Sequence, residues 1–169
     1  GEGGMVVSNS QRLLDKIKDL RDYDQKKGYK VRYNYKMTDL EAALGISQLS
    51  QLNHFLKRRR EIADFYCLAL KGCPLQLPLP RTGYDHVYFR YVIKCKKSSR
   101  NQLMKFLEQR GIHCALPVFK PLHNYFALGS FPCTDLAQQQ SLSIPIYPTL
   151  KNQEQGDIVK SIKDCFTTL

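Results

Sequence analysis

Three polar side chains could meet a charged small molecule. Asn34 is a neutral amide donor on a loop just before a helix, able to bond an anionic oxygen; taken alone, it equally stabilises a turn. Two residues on, Lys36 brings a mobile point charge without an arginine's planar fork, or is a solvated loop lysine. His123, in Pro121-Leu122-His123, is a loop histidine, a type that is most often structural or exposed. The other histidines receive no role: His54 lies on the polar side of a long helix, and His86 and His113 fall in strand-like segments. The six cysteines (67, 73, 95, 114, 133 and 165) show neither a CxxC pair nor a His/Cys spacing suited to zinc. They read as reduced, half-buried hydrophobes, and no metal site is expected.

The elements that must hold these residues follow from periodicity. The abrupt start Gly1-Glu2-Gly3-Gly4, before the strand signal Met5-Val6-Val7, reads as a cut through a folded unit. Ser8-Asn9-Ser10 offers an N-cap, and Leu13, Leu14, Ile17 and Leu20 continue a helix to about Asp22. Residues 23–36 form a polar, tyrosine-rich loop that turns at Gly28. Thr38 and Glu41 make a capping box, and a helical stripe runs from there to Gly72 as one long helix or two with a bend, weakest at Gly45.

A proline-spaced linker (73–80) leads to a strand over Val87–Cys95 with Val87, Phe89, Tyr91 and Ile93 on one side. A helix capped by Ser98 or Ser99 ends at Gly111; Ile112–Val118 is a second strand candidate, broken at Pro117. Residues 120–132 are loop, Thr134–Ser141 a short helix, Ser143–Tyr147 extended, and Lys151–Phe166 an amphipathic helix. The class is α/β, a small α+β domain with helices packed on a small sheet, preceded by a long connecting helix.

With 169 residues and 43% hydrophobic content the chain can bury a core. It has neither a run of eighteen apolar residues nor a signal-peptide pattern, so a soluble cytoplasmic protein is expected, without a membrane partner. The net charge of +11 suits an anionic partner: nucleic acid, a membrane surface or a phosphorylated small molecule. Its basic residues are scattered apart from Lys57-Arg58-Arg59-Arg60, which reads as a solvated helix face. A basic RNA- or polyanion-binding module is a distant alternative, since no RNP-like motif, GXXG clamp or finger spacing is present.

Six segments in order resemble the DegT/DnrJ/EryC1/StrS family of fold-type-I aminotransferases. They are Gly1–Val7; Tyr33–Gly45 (YNYKMTDLEAALG); Arg58-Arg59-Arg60; His86–Tyr91; Arg110-Gly111-Ile112 with Pro121-Leu122-His123; and Leu142–Pro148 (LSIPIYP). The resemblance implies the C-terminal part of a pyridoxal phosphate (PLP) enzyme that moves an amino group from an amino acid, glutamate in the first instance, to a nucleotide-linked keto-sugar. It implies residues 1–37 as a remnant of the large PLP-binding domain with an interface loop, 38–72 as a connecting helix, and 73–169 as the small domain.

The resemblance further implies a homodimer in which Asn34 reaches the neighbouring subunit's PLP phosphate, while Lys36 and His123 meet the nucleotide-sugar. Lys36 stands where the family has arginine. No catalytic residue is expected in this chain, because the Schiff-base lysine would lie upstream of Gly1. A histidine at that upstream position would instead indicate a sugar dehydratase of the same fold, and a non-catalytic homologue is a further alternative.

Overall fold

The hydroxyl of Ser10 accepts the backbone N–H of Leu13 at 3.4 Å, and a helix starts there. This is α1, Gln11–Arg21, with Lys18 and Arg21 in its last turn, where cations favour the helix dipole. The computed structural model describes residues 2–168, apart from the side chains of residues 97 and 168. It contains two compact units, Gly1–Leu52 and Asn53–Leu169, and the division falls inside the stretch 38–72.

In the first unit the loop after α1 is tied to that helix by opposite charge. Asp19 faces Lys26, Lys30 and Arg32, and Arg32 also donates to the Gly28 carbonyl at 2.8 Å. The second helix, α2, runs Asp39–Ser50 behind the full capping box of Thr38 and Glu41. Met5-Val6-Val7, expected as a strand, is exposed and irregular; no ladder partner stands in this unit among the described residues.

The helical stripe after Thr38 is two helices. Gly45 remains inside α2, and the interruption comes at Gln51, whose N–H turns back to the Gln48 carbonyl at 3.1 Å. The next helix, α3, covers Leu52–Ala69. Ile62, Tyr66 and, just past its end, Leu70 are buried at four-residue spacing.

That stripe packs on a two-stranded antiparallel sheet of β1 (Tyr91–Lys94) and β2 (Ser141–Ile144), in register Tyr91↔Ile144 and Ile93↔Leu142. Single bridges widen it, Gln76 beside Lys94 and Ala115 beside Ser143. Both expected strands are shorter than their alternation suggested. Tyr88 sits in the left-handed region (φ 45°), so the extended run cannot pass through it, and Val87 and Phe89 are left exposed. Ile112–Val118 contributes only the Ala115 bridge, since Pro117 has no N–H to carry a ladder onward.

The remaining helices are α4 (Lys97–Glu108), α5 (Leu122–Phe126, inside the expected loop), α6 (Pro132–Gln140) and α7 (Asn152–Thr168). The first of these starts before Ser98 and Ser99, with Lys96 at an N-cap that lacks a side-chain bond. It stops as expected at Gly111, whose φ of +72° lets the N–H groups of Gly111 and Ile112 return to the carbonyls of Glu108 and Leu107. Leu103, Leu107, Ile158, Ile162 and Cys165 close the core.

The basic run on α3 is not a solvated face. Arg59 Nη1 lies 2.9–3.3 Å from the carbonyls of Tyr88, Phe89 and Ile146. Arg58 Nη2 donates to Leu150 O at 2.9 Å and to Asn152 Oδ1 at 2.8 Å, and Arg60 donates to His86 O. These carbonyls lie outside the ladder and need donors, so the three arginines are turned toward them while Lys57 stays exposed. Arg59→Lys keeps the charge and loses the fork. It is expected to destabilise the folded protein by about 1–3 kcal/mol, read as a lowered urea midpoint; an unchanged midpoint would make the three contacts incidental.

Candidate functional site

Asn34 sits between two residues tied to α1. The N–H groups of Tyr33 and Tyr35 donate to the carbonyls of Leu20 and Arg21 at 2.8 and 3.0 Å, satisfying acceptors the helix end leaves open. Their rings stack, 5.0 Å apart and 3° from parallel. Asn34 is exposed between them, and its amide makes no hydrogen bond to the described residues. The capping box fixes the chain four residues later, so the donor is free while its backbone is held from both sides. The amino-terminal glycines run close by: a Cβ on Gly3 would come within 2.7 Å of the Met37 methyl.

Lys36, on the same segment, pairs with Asp22 at 3.3 Å. The Asp24 backbone N–H and then the Lys36 ammonium hold the Asp22 carboxyl below its ordinary range. Hydrogen bonds from Lys30 and Arg32 do the same for Asp19. In neither case is a neutral form favoured near pH 7, so the loop is wired by full charges.

His123 belongs to the second unit. It is not on an open loop: α5 carries it, Ala127 ends that turn in the left-handed region (φ 52°), and the side chain is buried. Its Nε2 lies 2.9 Å from Asp135 Oδ1, and its ring packs 5.0 Å from that of Phe131. Asp135 stands in the first turn of α6, where the helix dipole favours a carboxylate. A cavity of about 500 Å³ opens beside the pair, with Val118, Leu122, Leu128, Phe131 and Ala137 among its walls and His123 as its ionisable group.

Nothing in the sequence reading singled out Asp135; its signal was an acid in the first turn of a Pro-started helix. His86 also gains a task, since its Nδ1 accepts the N–H of the left-handed Tyr88 at 2.8 Å. A second cavity, of about 450 Å³, lies between Arg110–His113 and the start of α7. Several of its polar groups are already engaged: Arg110 stacks on Phe106, Glu154 accepts from Lys151 N, and Asp157 accepts from Gln153.

Burial pushes the Cys95 and Cys165 thiols up and the Cys114 thiol to about 12, which disfavours the nucleophilic thiolate. Among the described residues no three His, Cys, Asp or Glu side chains converge as a metal would need. None of the described helices is long and apolar enough to cross a membrane.

The sequence pattern of the DegT/DnrJ/EryC1/StrS aminotransferases matches residues 1–163. The chain belongs to the DegT/DnrJ/EryC1/StrS aminotransferase family. Among curated relatives of this DegT-family chain, the GDP-perosamine synthase of Vibrio cholerae is 33% identical, over 100% of this chain and 50% of that protein. Among solved structures, the aminotransferase TlmJ from Streptoalloteichus hindustanus superposes with a TM-score of 0.87 at 23% identity, over 95% of this chain and 46% of that one. PseC of Helicobacter pylori, an aminotransferase involved in pseudoaminic acid biosynthesis, gives 0.86 at 20% identity, over 96% and 48%. The DegT-family chain therefore spans about half the length of the curated relatives it matches.

Protonation should loosen the α1 loop of this DegT-family chain from the acid side only. A carboxylate whose folded pKa is depressed stabilises the fold above its unfolded value, about 4, and that contribution disappears as pH falls through the lower folded value. Hydrogen exchange at residues 22–36 is therefore expected to be flat, after correction for intrinsic rates, from pH 8 to 5. Protection should fall below about pH 4; loss beginning near pH 6 would point to a group other than Asp19 and Asp22.

Proposed function

We propose that the whole protein of which this chain is part transfers an amino group from an amino acid, glutamate in the first instance, to a keto-sugar carried on a nucleotide, as a PLP-dependent homodimer in the cytoplasm. The observation that carries the reading is Asn34: an unpaired, exposed amide on a segment pinned at both flanks, in a chain of the DegT family. The GDP-perosamine synthase relative points to a sugar as the acceptor class.

The residues present fit the phosphate end of the cofactor rather than its aldehyde. A neutral, outward amide can donate to a phosphate oxygen without first breaking an internal bond. On this reading the Schiff-base lysine lies upstream of Gly1, with residues 1–37 as part of the large domain, 38–72 as connector and 73–169 as the small domain. PLP, when bound, supplies the electron sink on which an amino group can be carried.

This chain's own side chains bind and orient. Asn34 anchors the phosphate of the neighbouring subunit's cofactor. Lys36 leaves Asp22 for the nucleotide diphosphate, an exchange that costs little because the ammonium is exposed and the half-buried Asp22 keeps the Asp24 N–H. His123 presents its ring from the small domain to the sugar or its phosphates. In the full-length protein Asn34→Ala is expected to weaken PLP retention about tenfold, one hydrogen bond to an anion, measured by dialysis against free PLP. Unchanged retention would sink the assignment of Asn34.

A further inference from the structure

The pairing of His123 with Asp135 carries more than packing. A carboxylate only accepts, so the neutral imidazole facing it must carry its proton on Nε2. The tautomer is thereby fixed, and Nδ1 is left as the working atom. Nδ1 makes no hydrogen bond to the described residues, yet it is not among their buried atoms lacking a partner. It therefore still reaches solvent, and the opening available to this otherwise buried side chain is the apolar cavity that it lines.

The ring cannot readily turn away. Phe131 packs against it, and Phe131 and Asp135 belong to the first turn of α6, in which Asp135 N–H donates to Phe131 O at 3.0 Å. The Pro132 start of α6 fixes that turn further.

We infer that Asp135 is a positioning residue: by accepting Nε2–H it holds His123 in the tautomer and orientation that turn Nδ1 toward the oxygen of a bound sugar or phosphate. The inference rests on the aminotransferase reading above, because His123 must have a substrate to meet. In the neutral ring Nδ1 accepts from a sugar hydroxyl; a proton added there makes it a donor to a phosphate oxygen, while Asp135 still takes Nε2–H. Either way one carboxylate serves both contacts. A purely structural pair would fix the same tautomer but would need no opening beside Nδ1.

The test uses the full-length, PLP-loaded protein and a GDP-linked keto-sugar as acceptor, chosen after the perosamine synthase relative. Asp135→Asn keeps the shape but can donate as well as accept, so the tautomer is no longer dictated. The expected result is a KM for the keto-sugar raised about tenfold, with a smaller change in kcat, and a similar rise for His123→Ala. The double variant should be no worse than His123→Ala alone, and Asp135→Glu should recover most of the loss. With ¹⁵N-labelled histidine, the His123 signals should report Nε2–H in the parent and a mixture in Asp135→Asn.

Additive penalties in the double variant would overturn the inference, as would a lowered melting temperature with KM unchanged. A normal KM in His123→Ala would end it too, by leaving nothing to position. Failure of the function reading looks different: the parent protein would aminate no nucleotide-linked keto-sugar, while the ¹⁵N signals would still report the tautomer.

Discussion

Backbone carbonyls outside helices and ladders must find donors, and this requirement shapes the second unit more than its short sheet does. Two four-residue strands cannot hold the turn at Tyr88 and the segment after β2. Arg59 supplies a common donor to Tyr88, Phe89 and Ile146, which lie on both sides of that sheet in sequence. A guanidinium is suited to this because its donors diverge from a rigid plane, whereas an ammonium serves one acceptor well at a time. The left-handed Tyr88 is affordable only with its neighbours so constrained, by Arg59 at its carbonyl and His86 at its N–H. From that turn Tyr91 enters the core, where it packs edge-on to Tyr66, whose hydroxyl is in turn bound by Pro145 O.

The first unit answers the same requirement in the opposite sense. There the open carbonyls belong to the end of α1, and the donors come from the loop, at Tyr33 and Tyr35. An irregular segment is thus tied at alternate residues without any ladder. The positive charge of the chain is distributed accordingly: Lys26, Lys30 and Arg32 converge on Asp19, Lys36 on Asp22, and Arg58, Arg59 and Arg60 on carbonyls and nearby acids. These cations keep their charge but are committed in geometry. A count of +11 therefore overstates the basic surface open to a polyanion.

Local signals in the sequence translated well, because their causes are local. The Ser10 cap, the Thr38–Glu41 box, the Gly111 stop and the apolar face of α7 each depend on residues within a turn or two. Misreadings arose where a distant partner decides. The alternation of Val87 to Ile93 is real in composition, but a left-handed residue at its second position discards the first half. Ile112–Val118 has strand-forming residues and finds only one bridge. Nothing local could show that Arg59 would meet a carbonyl 87 positions away. His123 was visible as a candidate through its motif, while Asp135, twelve residues on, was not, because a short helix and the first turn of α6 bring the two together.

The same separation of local and distant causes bears on the roles proposed above for Asn34 and Lys36, two ligands of different kind. Binding to a flexible donor loses affinity to the ordering of that donor. At Asn34 the ordering is already done by bonds that involve its neighbours' backbone and leave its amide untouched. Lys36 is the reverse: its own ammonium is the contact, exposed and held by one half-buried carboxylate that a diphosphate, with more charge and more acceptor oxygens, can outcompete. A rigid neutral donor suits a cofactor that stays through many turnovers. A loosely latched cation suits a substrate that must arrive and leave in each one.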